Sequence, residues 1–63
     1  MSFGKEVRIR LITMDRTQSW LMDEIRERTG LYMDSSYLSK VLKGEKNPPK
    51  VINAIKEILE MEG

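Results

Sequence analysis

The sequence predicts an all-α fold, a compact four-helix domain, and three observations lead there. Apolar residues recur at spacings of three and four along separate stretches, the period of a helix with one buried face. Thr17, Asp34, Gly30 and Gly44 stand where those stretches begin and end, and they are residue types that cap helices. The chain has 63 residues, room for one domain over 1–63 with an economical core.

Helix one is expected from Phe3 to Met14, where Phe3, Val7, Leu11 and Met14 form the apolar stripe. Asp15 and Arg16 interrupt it. Thr17 is then placed to accept a backbone N–H at the start of helix two, near Gln18. Leu21 and Ile25 supply that helix's inner face, with Asp23, Glu24, Arg26, Glu27 and Arg28 turned largely to water, and Thr29-Gly30 closes it. Leu31-Tyr32-Met33 is an apolar connector that is expected to tuck, at least in part, under the connection and to be an ordered part of the fold.

Asp34 caps helix three, Ser35 to Lys43, whose apolar face is Leu38, Val41 and Leu42. Gly44 stops it. Pro48 and Pro49 lack N–H donors and make the segment from Glu45 a turn. Pro49 also suits a first helical turn, so helix four is expected from about Lys50 to Met61, with Val51, Ile52, Ile55, Ile58 and Leu59 inward.

Composition removes several function classes. With no cysteine and no histidine, disulfides, the usual zinc sites and thiol or imidazole catalysis are excluded, and no cofactor or small-molecule ligand is expected. No nucleophile, base and pocket-forming loop converge, so the chain is not read as an enzyme. No apolar run approaches the ~20 residues that span a bilayer, and the first residues lack a secretory signal, so a cytoplasmic location and no membrane partner are expected.

The net charge is only +1, which by itself argues against nucleic acid as a partner, but its distribution is uneven. Residues 34–50 hold Lys40, Lys43, Lys46 and Lys50 against Asp34 and Glu45, whereas the stretch after them carries one lysine against three glutamates. The positive excess sits in the middle.

Helix three carries that excess on an unusual face: Ser35, Ser36 and Ser39 with Lys40 and Lys43, and no acid within the helix. Short hydroxyl side chains let a helix backbone approach the DNA major groove, where serine bonds base edges or phosphates and lysine reaches a guanine or a phosphate. Serines are also ordinary residues of a solvated helix start, and both readings stand. Tyr37, near the same helix start, is placed to touch a thymine methyl or a phosphate. Lys43, Lys46 and Asn47 flank Gly44 as candidate phosphate contacts, or else belong to a plain charged loop.

Phe3-Gly4, Thr17-Gln18-x-x-Leu21, Ser36-x-Leu38-Ser39 and Gly44 followed by Pro48 together resemble the pattern of Cro/C1-type (Xre-like) helix-turn-helix DNA-binding proteins. The resemblance covers nearly the whole chain and extends to short regulators of prophages and integrative elements. It implies a lambda-repressor-like fold in which Gln18 bonds a phosphate and Ser35, Ser36, Tyr37, Ser39 and Lys40 face bases. The implied function is sequence-specific binding of double-stranded DNA by a transcriptional regulator. Two features depart from the family. The stretch from Gln18 to Ser36 is longer, through Thr29 to Met33, and a fifth helix often used for dimerisation has no counterpart after helix four. A weak or DNA-assisted homodimer is the expectation, because one short helix reads few bases.

Trp20 and Tyr32 have two uses open to them, stacking on bases or filling core and rim. Five methionines likewise fit either core filling or an adaptable partner surface. The competing function is a protein-interaction module, an antirepressor or adaptor on the same scaffold, which suits the near-neutral charge. It does not require an acid-free basic face on helix three.

Overall fold

Each helix begins and ends where its capping chemistry allows. The computed structural model describes residues 2–61 and contains α1 (Phe3–Thr13), α2 (Gln18–Thr29), α3 (Ser35–Lys43) and α4 (Pro49–Ile58), with no strand among the described residues. Glu62, counted above among the acids of the tail, lies outside that range. Ser2, Thr17 and Asp34 cap the first three helices, their side-chain oxygens accepting the backbone N–H of Lys5, Trp20 and Tyr37 respectively. Helix α4 opens on Pro48 and Pro49 with no side-chain cap, since proline at the first helical position leaves one N–H fewer to satisfy.

All four helices stop on a residue in the left-handed region: Asp15 at φ 55, Gly30 at 72, Gly44 at 84 and Glu60 at 54. After α1, α3 and α4 the reversal is the same, with paired reverse bonds such as Arg16 N–H to the Leu11 carbonyl and Asp15 N–H to that of Ile12. Only two of these stops carry the glycine that marks them in sequence. Helix α4 accordingly ends three residues before Met61, which follows the reversal back into the core and is buried without being helical.

Helix α2 packs on α4 and on α3, and α1 packs on α3. The interior is apolar throughout: Val7 and Leu11, Leu21 and Ile25, Leu38, Val41 and Leu42, then Val51, Ala54, Ile55, Ile58 and Leu59. Among the described residues no polar one is buried with them. The Cα radius of gyration is 10.4 Å, close to the ~10.6 Å of a well-packed chain of this length.

Two positions fix how the helices meet. A Cβ on Gly4 would collide with the Leu42 carbonyl oxygen and stand 3.1 Å from its carbon, so α1 reaches the end of α3 only because residue 4 lacks a side chain. Met33 is fully buried beneath the connection between α2 and α3. Its neighbours are not: Leu31 is 41% exposed and Tyr32 78%. Of the apolar trio, therefore, Met33 alone is an anchor, and Tyr32 belongs neither to the core nor to its rim.

Alanine at position 4 gains about 1 kcal/mol in helix propensity but meets backbone that cannot rotate away. Overpacking costs about 1–3 kcal/mol, so Gly4→Ala is expected to lower the urea midpoint. Met33→Ala should cost about 2–5 kcal/mol in the same measurement, while Leu31→Ala, half in water already, should cost less than about 1 kcal/mol.

Candidate nucleic-acid interface

Helix α3 presents two faces because its apolar residues fall at positions 38, 41 and 42, one side of the cylinder. Leu38, Val41 and Leu42 are buried; Ser35, Ser36, Lys40 and Lys43 are exposed on the other side and Ser39 is half-buried. These five polar residues line one shallow concavity, together with Glu45 from the turn beyond the helix. Five of the nine residues singled out from the sequence thus come together.

The ends of α3 are fixed on both sides. Asp34 accepts the Tyr37 N–H at 2.7 Å, and after Gly44 the Glu45 N–H returns to the Lys40 carbonyl at 2.9 Å. This reversal brings Glu45 into the concavity that Lys40 and Lys43 line, so the basic face ends on an acid. Lys40 and Lys43 occupy the last turn, where cations also favour the negative end of the helix dipole.

The other four residues lie elsewhere. Tyr37 is half-buried and packs against the core, which commits part of its ring to stability. Lys46 and Asn47 are exposed in the turn before Pro48. Gln18 is exposed at the first position of α2 and lines a separate groove with Arg8, Leu11, Ile12 and Arg16. Lys50, part of the central positive excess, sits in a third cleft with Arg28, Asn53 and Glu57, where Arg28 and Glu57 pair at 3.5 Å.

A positioning residue was hidden in the charged side of α2. The Arg26 guanidinium donates to the Met33 carbonyl at 2.7 Å and to Asp23 at 2.7 Å, tying the connection before α3 to the helix that precedes it. Thr29 contributes a second tie, its hydroxyl accepting from the Leu31 N–H. Arg26 reads as a solvent-facing charge in sequence because its partner is a backbone carbonyl, which no side-chain pattern marks. Trp20, half-buried at the core's edge, is covered by the Arg16 guanidinium 4.9 Å from its ring centre.

No group of histidine, cysteine or carboxylate side chains suited to a metal ion occurs among the described residues. No family model, curated protein or solved structure matches the chain.

Replacing Arg26 by methionine keeps the apolar stem and removes both bonds. Hydrogen bonds to a charged donor contribute about 1.5–3 kcal/mol when dry, and the half-exposed setting here reduces that, so Arg26→Met should cost about 1 kcal/mol. Hydrogen exchange should report faster exchange at Leu31 through Tyr37, with the rest of the domain unchanged.

Proposed function

We propose that this chain is a sequence-specific double-stranded DNA-binding protein, a transcriptional regulator of the helix-turn-helix type that lays α3 in the major groove. The observation that carries the reading is the outward face of α3, where three serines and two lysines share one surface with no acid inside the helix. Small hydroxyls permit close approach of the helix, and the lysines add both base and phosphate contacts. Lys46 and Asn47, in the turn that follows, reach the flanking backbone; Gln18 supplies a phosphate contact from the start of α2. Buried Met33 and the Arg26 tie hold α3 at its angle.

The weak overall charge fits a protein that neutralises few phosphates, and so depends on base contacts for selectivity. A second copy on a half-site about one helical turn away supplies the rest of the recognition sequence, as a pair that forms weakly or only on DNA. A cytoplasmic location and the lack of a catalytic role belong to the same reading. Glu45 is the carboxylate among the residues lining the α3 concavity. It opposes binding.

Fluorescence anisotropy with labelled genomic fragments, at about 50 mM and about 200 mM salt, tests this. Affinity should fall with salt at about 0.9 in log–log slope for each phosphate neutralised. Ser36→Ala and Lys40→Ala should change which sequences are preferred, whereas Lys46→Ala should weaken all sequences alike and lower the slope by about 1. Removing a like charge from the phosphate-facing surface, Glu45→Gln should tighten binding about three- to tenfold. No binding to any duplex at the lower salt would end the proposal, and uniform weakening by all three alanine variants would place α3 outside the groove.

A further inference from the structure

Helix α1 is apolar on two sides, and only one of them has a partner within the fold. At 100° per residue Gly4, Val7 and Leu11 face the core, Lys5 and Ile9 fall on the opposite side, and Arg8 and Ile12 lie on the flank between them. Ile12 is 78% exposed and Ile9 49%, adjacent on successive turns. Single exposed aliphatics are common on protein surfaces, but here Ile12 borders the groove floored by Leu11 and edged by Arg8, Arg16 and Gln18. Those arginines lie four residues before and four residues after it.

The groove beside Ile12 is edged by Arg8 and Arg16, with no carboxylate among its lining residues. The ion pairs among the described residues join Arg26 to Asp23 and Arg28 to Glu57, and neither involves α1. Glu6 flanks Ile9 on the side away from Arg8, and Asp15 lies in the turn beyond the helix. An apolar ridge beside two arginines that make no ion pair, one of them also lying over Trp20, is complementary to an apolar ridge between carboxylates.

We propose that the outer face of α1 is a docking surface for an acidic amphipathic helix of another protein, its aliphatic stripe seated on Ile9 and Ile12 and its carboxylates on Arg8 and Arg16. The reading does not rest on the α3 face, but Gln18, given a phosphate contact above, lines the same groove, so peptide and DNA would meet at that residue. A second copy of this chain fits poorly, because a symmetric pairing sets arginine against arginine. DNA would account for the arginines and Gln18 but not for the isoleucines, from which phosphates gain nothing.

The test uses a synthetic helical peptide of about 18 residues, leucine at helical spacing flanked by glutamate, and a second peptide with lysine at every glutamate position. In 15N-labelled protein the acidic peptide should shift amides at residues 8, 9, 12 and 16, and should bind about tenfold or more tightly than the basic one. Ile12→Ser and Arg8→Glu, both at exposed positions, should each lower that affinity about tenfold while leaving the melting temperature unchanged. Equal affinity for the two peptides, or shifts centred on α3, would overturn the assignment. So would an Ile12-dependent dimer in sedimentation, Ile12-dependent binding to anionic phospholipid vesicles without peptide binding, or loss of DNA affinity in Ile12→Ser.

Discussion

Burial of Met33 between two fixed helix ends is the constraint on which the placement of α3 depends. Gly30 halts α2 with a left-handed turn, Asp34 starts α3 four residues later, and the chain between them has to cross that interval with one side chain pointing inward. Met33 fills the inward position and its carbonyl is held by Arg26. The connection is thereby anchored from below by an apolar side chain and from the side by a charged one. Leu31 and Tyr32 remain outside because a single crossing of this length offers one inward position.

A second constraint acts at the other end of α3. Gly4 lets α1 approach the Leu42 carbonyl, and the apolar residues of α3 pack into the resulting angle. With both ends held, the serine and lysine face is a surface fixed by the core and free of any structural duty toward it. Core and interface use different residues of the same nine-residue helix. Tyr37 is the exception, dividing its ring between them.

Much of this was legible in the sequence, and the residues that were not share a physical cause. The stripes in α1 to α4, the Thr17 and Asp34 caps and the Gly30 and Gly44 stops follow from periodicity and local backbone chemistry, which depend on near neighbours alone; Met14, expected as the last residue of the first stripe, instead lies beyond α1 and is exposed. Asp15 and Glu60 make the same left-handed stop without a glycine to mark it, so α4, expected to run to about Met61, reads three residues too long. Gly4 and Arg26 escape for another reason. Each acts through a backbone carbonyl distant in sequence, Leu42 for one and Met33 for the other, and a carbonyl leaves no trace in residue type. On the candidate interface, Ser35, Ser36, Ser39, Lys40 and Lys43 were legible as one helix face, whereas the Glu45 carboxylate joins them only through the reversal after Gly44.

The central claim, that the outward face of α3 meets DNA, is tested most directly by titrating 15N-labelled protein with a duplex selected from genomic fragments and following the amide and lysine side-chain resonances. The expected result is a continuous perturbed surface over Ser35, Ser36, Ser39, Lys40 and Lys43, extending to the turn at Lys46 and Asn47, with Gln18 affected and α4 silent. Perturbation confined to α1 or α4, or none at concentrations where binding is saturated, would contradict it.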